Sequence, residues 1–76
     1  MTKQETMTKQ EKVLMDLVKK NGEGLTIDVL SSLSYEAGNY NYDSPKFIEA
    51  HIVYSIAIEN KYFDYHEESQ KVYLKK

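Results

Sequence analysis

The chain has 76 residues, of which 41% are hydrophobic and 29% are charged, and its formal net charge is −2. This length suits one small domain that buries roughly 60% of the surface exposed by its unfolded chain. The sequence has no cysteine, which excludes disulfides and cysteine-ligated zinc, and it has no apolar run of about 18 residues for a membrane-spanning helix.

The charges are unevenly distributed along the sequence. Residues 1–22 carry five lysines against three acids, residues 23–60 one lysine against six acids, and residues 61–76 four lysines against three acids. Nucleic acid responds to the local field rather than to the total charge, so the two mildly basic ends remain candidates for binding it. No apolar signal region follows the N-terminal lysines, and we therefore expect a cytoplasmic protein.

The sequence Met-Thr-Lys-Gln-Glu occurs twice at the start, and each copy has the form of a helix capping box. Only the second copy leads into an apolar helical pattern. We predict a first helix over residues 9–20, with Thr8 as its N-cap, Glu11 as the capping partner and Asn21-Gly22 as its end.

The stretch "GLTIDVLSSLSYEAG" predicts a second helix over residues 27–35, capped by Thr26 and preceded by a very short strand at Leu25. The residues expected to face inward are Val29, Leu30 and Leu33.

A loop, "NYNYDSP", follows, and Ser44-Pro45 has the form of a cap and a first helical residue. We predict a third helix over residues 45–60. Its first apolar stripe consists of Ile48, Ile52, Val53 and Ile56. Its second apolar face consists of Phe47, Tyr54 and Ile58.

The C-terminal segments "YFDYH" and "KVYLK" alternate with period two around the turn-like "EESQ", which predicts a β-hairpin. The side chains expected to pack onto the helices are Phe63, Tyr65, Val72 and Leu74. Those expected on the outward face are Tyr62, Asp64, His66, Lys71, Tyr73 and Lys75.

The segments "LTIDVLSSLS", "SPKFIEAHIVYSIAIENKYF" and "QKVYLKK", in this order, resemble a winged helix-turn-helix domain, in particular the small phage or mobile-element DNA-binding proteins of low-GC bacteria. The resemblance implies an α+β fold of three helices with a C-terminal two-stranded hairpin as the wing, over residues 8–76. Residues 1–7, whose capping box leads into no apolar pattern, are expected to form a flexible tail. It also implies DNA as the partner.

The helix that would read DNA in such a domain has an unusual composition here. Between residues 45 and 60, Lys46 is the only lysine, and Glu49 and Glu59 are acidic. Direct reading of base edges uses Arg, Lys, Asn or Gln side chains. The sequence therefore favours single-stranded or weakly specific binding, by lysine contacts to phosphate and tyrosine stacking on bases.

The residues predicted to bind nucleic acid are Lys9, Lys12, Lys46, Lys61, Tyr62, Lys71, Tyr73, Lys75 and Lys76. Tyrosine and lysine are also ordinary residues of strands and sheet edges, and that interpretation stays open. The loop residues Tyr35, Tyr40 and Tyr42 form either a contact surface or a lid over the core.

No catalytic or metal-binding motif occurs, since His51 and His66 lack ligand spacing and "NGEG" lacks the form of a phosphate loop. We therefore expect that the protein is not an enzyme and that it binds neither a metal ion nor a cofactor. Two other functions stay open beside weakly specific DNA binding. One is a dimeric operator-binding regulator, and the other is a protein-interaction module that uses the acidic middle and the second apolar face of the third helix.

Overall fold

The structure, a computed structural model, describes residues 8–75. Its elements in chain order are α1 (Lys9–Asn21), β1 (Leu25–Thr26), α2 (Ile27–Ala37), α3 (Ala50–Glu59), β2 (Phe63–His66) and β3 (Lys71–Leu74). The predicted α+β class, with three helices followed by a hairpin, is therefore confirmed. The predicted tail over residues 1–7 and the binding residue Lys76 lie outside the described residues.

Helix α1 begins and ends where its capping residues predict. Thr8 Oγ1 accepts a hydrogen bond from the Glu11 N–H at 3.1 Å, and Glu11 Oε1 accepts one from the Thr8 N–H at 2.9 Å. This reciprocal pair satisfies two amides that a helix start otherwise leaves free. Gly22 ends the helix with a φ of 99°, a conformation that glycine adopts without strain.

Helix α2 starts at the predicted cap, where Thr26 Oγ1 accepts from the Val29 N–H at 3.3 Å. On the inner side of this helix, Leu30 is completely buried, and Leu33 is partly buried against the core. The prediction that Val29 faces inward is wrong, because this side chain in the first turn of the helix is 42% exposed.

Helix α3 starts at Ala50, and the prediction that it begins at Pro45 is wrong. Ser44 instead opens a turn, in which its carbonyl accepts from the Phe47 N–H and its Oγ accepts from the Lys46 N–H, both at 3.1 Å. The chain then stays outside any helix or strand until Ala50, and Ile48 in this segment is buried without being helical.

Two serines of α2 hydrogen-bond the backbone of Ile48, although Ile48 is buried outside any helix or strand. Ser34 Oγ accepts from the Ile48 N–H at 2.9 Å, and Ser31 Oγ donates to the Ile48 carbonyl at 2.8 Å. A buried backbone must be hydrogen-bonded, and these hydroxyl groups replace the partners that a helix would supply. Ser34 is itself completely buried.

The strands form one antiparallel sheet in the order β1-β3-β2. In the hairpin, Phe63 lies opposite Leu74 and Tyr65 opposite Val72, so the predicted inward face is confirmed. The pairing of β1 with β3 was not predicted, although the short strand at Leu25 was. Just before β1 begins, the Glu23 carboxylate accepts from the Leu74 N–H at 3.0 Å and continues the edge of the ladder.

All the helices and the sheet contribute to one hydrophobic core. Its buried members are Leu14, Leu17, Val18, Leu30, Ile48, Val53, Ala57, Phe63 and Val72. On α3 the buried pair is therefore Val53 and Ala57, whereas Ile52 and Ile56 are only partly buried. Within the residues that the structure describes, no helix has the length and apolar character needed to cross a membrane.

Candidate nucleic-acid interface

Helix α1 presents all four of its lysines on a single face. The exposed residues of this face are three or four positions apart or adjacent, and they are Lys9, Lys12, Asp16, Lys19 and Lys20. Residues three and four positions apart lie on the same side of a helix, and the buried Leu14, Leu17 and Val18 occupy the opposite side. Four ammonium groups thus share the outer side of α1 with one carboxylate.

Lys46 belongs to the same surface and not to α3, where the sequence placed it. It lies in the turn before α3, and it lines a shallow groove of about 170 Å³ together with Asp16 and Lys20. The floor of this groove is apolar and is formed by Val13, Leu17 and Ala37. We refer to Lys9, Lys12, Lys19, Lys20 and Lys46 as the lysine face.

Two further predicted lysines lie at the open end of the hairpin. Asn60 Nδ2 donates to Glu11 Oε2 at 2.6 Å, which holds the start of β2 beside the first turn of α1. The Lys75 N–H donates to the Tyr62 carbonyl at 2.9 Å, so Lys75 lies next to Lys61 and Tyr62 across the hairpin. Both lysines are exposed there.

The predicted stacking residues of the wing are less available than the sequence suggested. Tyr62 is half-buried and packs against the core, so the prediction that its ring lies on the outward face is wrong. Tyr73 does lie outward, opposite Asp64, but its ring is half-buried against His66 at a centroid distance of 4.5 Å.

Lys71 stands apart from the other predicted lysines. It begins β3, about 13 Å along the strand from Lys75 at a rise of about 3.3 Å per residue. The adjoining turn carries Glu67 and Glu68, both exposed. The tip of the hairpin is therefore acidic, and a phosphate there would meet two carboxylates beside one ammonium group.

The outer side of α3 carries no lysine anywhere in this fully described helix. Its exposed residues are His51, Tyr54, Ser55, Ile58 and Glu59, which recur at helical spacing. Tyr54 is 40% exposed and Ile58 46% exposed. The face is therefore apolar and acidic, which is unsuited to reading base edges in a major groove.

Tyr35 near the end of α2 forms an aromatic cluster with three residues of the following loop, Tyr40, Tyr42 and Phe47. The Tyr35 and Tyr42 rings are stacked, with centroids 4.5 Å apart and planes 25° apart. Phe47 meets Tyr42 edge-on at 5.1 Å, and Tyr40 meets Tyr35 edge-on at 5.5 Å. Tyr40 is 65% exposed and Tyr42 69% exposed, which favours a contact surface over a lid.

Burial raises the pKa of the Tyr35 phenol above its ordinary value of 10.0, and the neighbouring Tyr42 and Tyr40 phenols add to the effect. Burial also raises the pKa of Tyr65, with smaller contributions from Tyr54 and Glu67. A raised pKa means that the folded protein holds these protons more tightly than the unfolded chain does. The resulting stability is complete below about pH 10 and is lost as the pH rises through the folded-state values.

We expect the folded protein to release part of its phenolic protons later in an alkaline absorbance titration than the denatured chain does. Tyr35→Phe and Tyr65→Phe should each remove part of this late change. Each variant should also lose less stability than the native protein as the pH rises above 10. Coincident titration curves for the folded and denatured chains would contradict the expectation.

The histidines pair with carboxylates at the surface. His51 Nδ1 lies 3.3 Å from Glu49 Oε1, and His66 Nε2 lies 3.3 Å from Asp64 Oδ2. Among residues 8–75, no three histidine or acidic side chains are grouped closely enough to hold a metal ion.

Sequence reasoning missed two features that shape the interface. The first feature is the hydrogen bonding of the α2 serines to the Ile48 backbone. The sequence indicates only that serines on an apolar helix face often bond to a backbone group, and it does not indicate which group. The second feature is the position of Lys46 beside Lys20, for which the sequence contains no signal.

Comparison of the chain with protein family models, with curated proteins and with solved structures gives no match.

Proposed function

We propose that this chain is a non-catalytic, cytoplasmic winged-helix protein that binds DNA, with single strands preferred over duplex and with little sequence specificity. The element order and the sheet order β1-β3-β2 are compatible with a winged-helix layout. Lysines of the lysine face neutralise phosphates, and exposed tyrosines stack on unpaired bases.

The distribution of lysine over the surface is the observation that carries this proposal. Five ammonium groups lie on the lysine face, and Lys61 and Lys75 lie beside the first turn of α1. Phosphate binding by such groups releases condensed counterions and is insensitive to sequence. The acids Asp16 and Glu36 line grooves together with Lys20 and moderate the field, which is consistent with weak rather than tight binding.

The exposed side of α3 argues against the operator-binding alternative. Specific contacts to guanine and adenine need paired donors or amide groups facing the groove. Tyr54 and Ile58 offer none, and Glu59 repels phosphate. The half-buried rings of Tyr62 and Tyr73 leave the loop tyrosines as better candidates for stacking.

A fluorescence anisotropy titration over a salt series tests the proposal. We expect a labelled single-stranded oligonucleotide to bind more tightly than a duplex of equal length. The logarithm of the association constant should fall linearly with the logarithm of the salt concentration, by about 0.7 for each single-strand phosphate that is contacted. Absence of binding at low salt would refute DNA binding, and tight binding that depends on duplex sequence would establish an operator-binding regulator.

The same α3 face favours a second candidate function, a protein-interaction module. Tyr54 and Ile58 form an exposed apolar strip, and Tyr54 meets the half-buried Tyr65 of β2 edge-on at 5.4 Å. Glu49 and Glu59 lie at its two ends, so a partner would present apolar side chains with basic neighbours. This candidate gains support if no oligonucleotide binds and Tyr54→Ala weakens a partner's binding without lowering stability.

A further inference from the structure

The ring of Tyr42 has one face covered and the other open. Tyr35 covers the inner face at a centroid distance of 4.5 Å, and Phe47 meets Tyr42 edge-on. With these contacts in place, 69% of Tyr42 is still exposed. The outer face of the ring is therefore an aromatic surface of about the width of a base, presented to solvent.

The cluster is held in position by the rest of the fold. Tyr35 belongs to α2 and is half-buried, and Phe47 precedes Ile48, whose backbone is hydrogen-bonded to Ser31 and Ser34. The chain between them passes through Asn39 and Tyr40 with positive φ values of 63° and 60°. A surface fixed in this way loses little conformational entropy when a ligand stacks on it.

From this geometry we propose that Tyr42 is a stacking site for one unpaired nucleobase, which extends the Tyr35–Tyr42 stack by a third ring. The inference rests on the proposed function and identifies the residue that makes the protein bind single strands more tightly than duplex. In a duplex both faces of a base are covered by its neighbours, so only an unpaired base can occupy this position. The site should accept any base, because every base has a π face.

The surroundings of Tyr42 fit a nucleotide. A shallow groove of about 160 Å³ lies beside it, lined by Ser31, Ser32, Tyr35 and Phe47. The exposed Ser32 hydroxyl can both donate and accept, so it can meet any base edge without selecting one. Lys46, next to Phe47 in the chain, connects the groove to the lysine face, where the phosphates would lie.

The test combines a protein variant with a ligand variant. Native protein and Tyr42→Ala are each titrated with a labelled single-stranded oligonucleotide and with an abasic oligonucleotide of equal length, which has the same phosphates and lacks bases. We expect Tyr42→Ala to weaken binding of the intact oligonucleotide by about 5- to 100-fold. Removal of the bases should weaken binding to the native protein by at least as much, and Tyr42→Ala should bind the abasic strand as well as the native protein does.

Two control variants exclude a structural effect. Tyr42→Phe keeps the aromatic face and should bind the intact strand within about twofold of the native protein. Tyr54→Ala removes an exposed tyrosine from α3, 40% exposed against 69% for Tyr42, and should leave single-strand affinity unchanged. Tyr42→Ala removes the ring contacts with Tyr35 and Phe47, so its melting temperature should fall modestly, while its circular dichroism at the assay temperature should match that of the native protein.

The outcomes separate this inference from the function on which it rests. If the native protein binds neither strand at low salt, DNA binding itself fails. If it binds the intact and the abasic strands equally, or if Tyr42→Ala binds the intact strand as the native protein does, phosphate binding stands and the stacking site is refuted. An equal loss of duplex binding in Tyr42→Ala would also refute it.

Discussion

Ser34→Ala should lower the free energy of unfolding by about 1–3 kcal/mol, because it removes the side-chain acceptor of the buried Ile48 amide. Ser34 Oγ accepts from the Ile48 N–H and donates to the Ser31 carbonyl at 2.6 Å. Alanine leaves the Ile48 amide buried without an acceptor, and this penalty exceeds the small gain in helix propensity. A domain of this size loses about 4–8 °C in melting temperature for each kcal/mol.

Ser32→Ala is the matched control for this prediction. It removes a hydroxyl from the same helix at an exposed position, so it gives the same gain in propensity without unsatisfying a buried group. Hydrogen exchange should show faster exchange of the Ile48 amide in Ser34→Ala only. Equal melting temperatures for the two variants would show that the Ser34 hydroxyl does not stabilise the segment before α3.

The consequence of Ser34→Ala reaches the candidate interface. Ile48 follows Phe47, and Phe47 contacts both Tyr35 and Tyr42 in the aromatic cluster. Loosening the backbone at Ile48 should therefore also loosen the ring contacts that orient Tyr42. A weaker single-strand affinity in Ser34→Ala, below its melting temperature, would accord with this coupling.

The elements that the sequence predicts well are those determined by local interactions. The capping box of Thr8 and Glu11, the cap at Thr26 and the period-two alternation of the hairpin involve neighbours within a few residues. Such patterns constrain backbone geometry before any tertiary contact forms. The three-helix order and the inward face of the hairpin followed from them.

The start of α3 was mispredicted because a distant contact overrides a local preference. Ser44-Pro45 favours a helix start, but the Ser34 hydroxyl, 14 residues before Ile48, binds the Ile48 backbone, which is not helical. Local propensity is a weak guide where tertiary hydrogen bonds compete with it. The later start removes Lys46 and Phe47 from the helix and places them in the loop that carries the candidate site.

The candidate interface was only partly predictable for the same reason. The spacing of Lys9 and Lys12 shows that they share a helix face, but the approach of Lys46 to Lys20 depends on how α1 and α2 pack. Likewise, the alternation in the hairpin does not show that Tyr62 packs against the core. Composition indicated tyrosine and lysine as the binding residues, and only tertiary structure shows which of them lie together.

Replacing four residues of the lysine face with glutamine should nearly abolish single-strand binding. The variant Lys12→Gln, Lys19→Gln, Lys20→Gln, Lys46→Gln replaces each ammonium group with a neutral amide on a side chain one atom shorter. It keeps a similar helix propensity at the three α1 positions and removes four positive charges. If each lysine contacts one phosphate, the salt dependence loses about 0.7 in slope for each lysine, and affinity at low salt falls roughly 100-fold. Salt-series anisotropy measures both quantities.

Two comparisons distinguish local contacts from a general change in net charge. The corresponding four lysine-to-arginine substitutions keep the charge and should keep both the affinity and the salt slope. Lys46→Gln and Lys71→Gln each remove one charge, but Lys71 stands beside Glu67 and Glu68 at the hairpin tip, so Lys46→Gln should weaken binding more. Equal losses for these two single variants would show that DNA responds to the total charge of the protein, and the lysine face would then have no particular role.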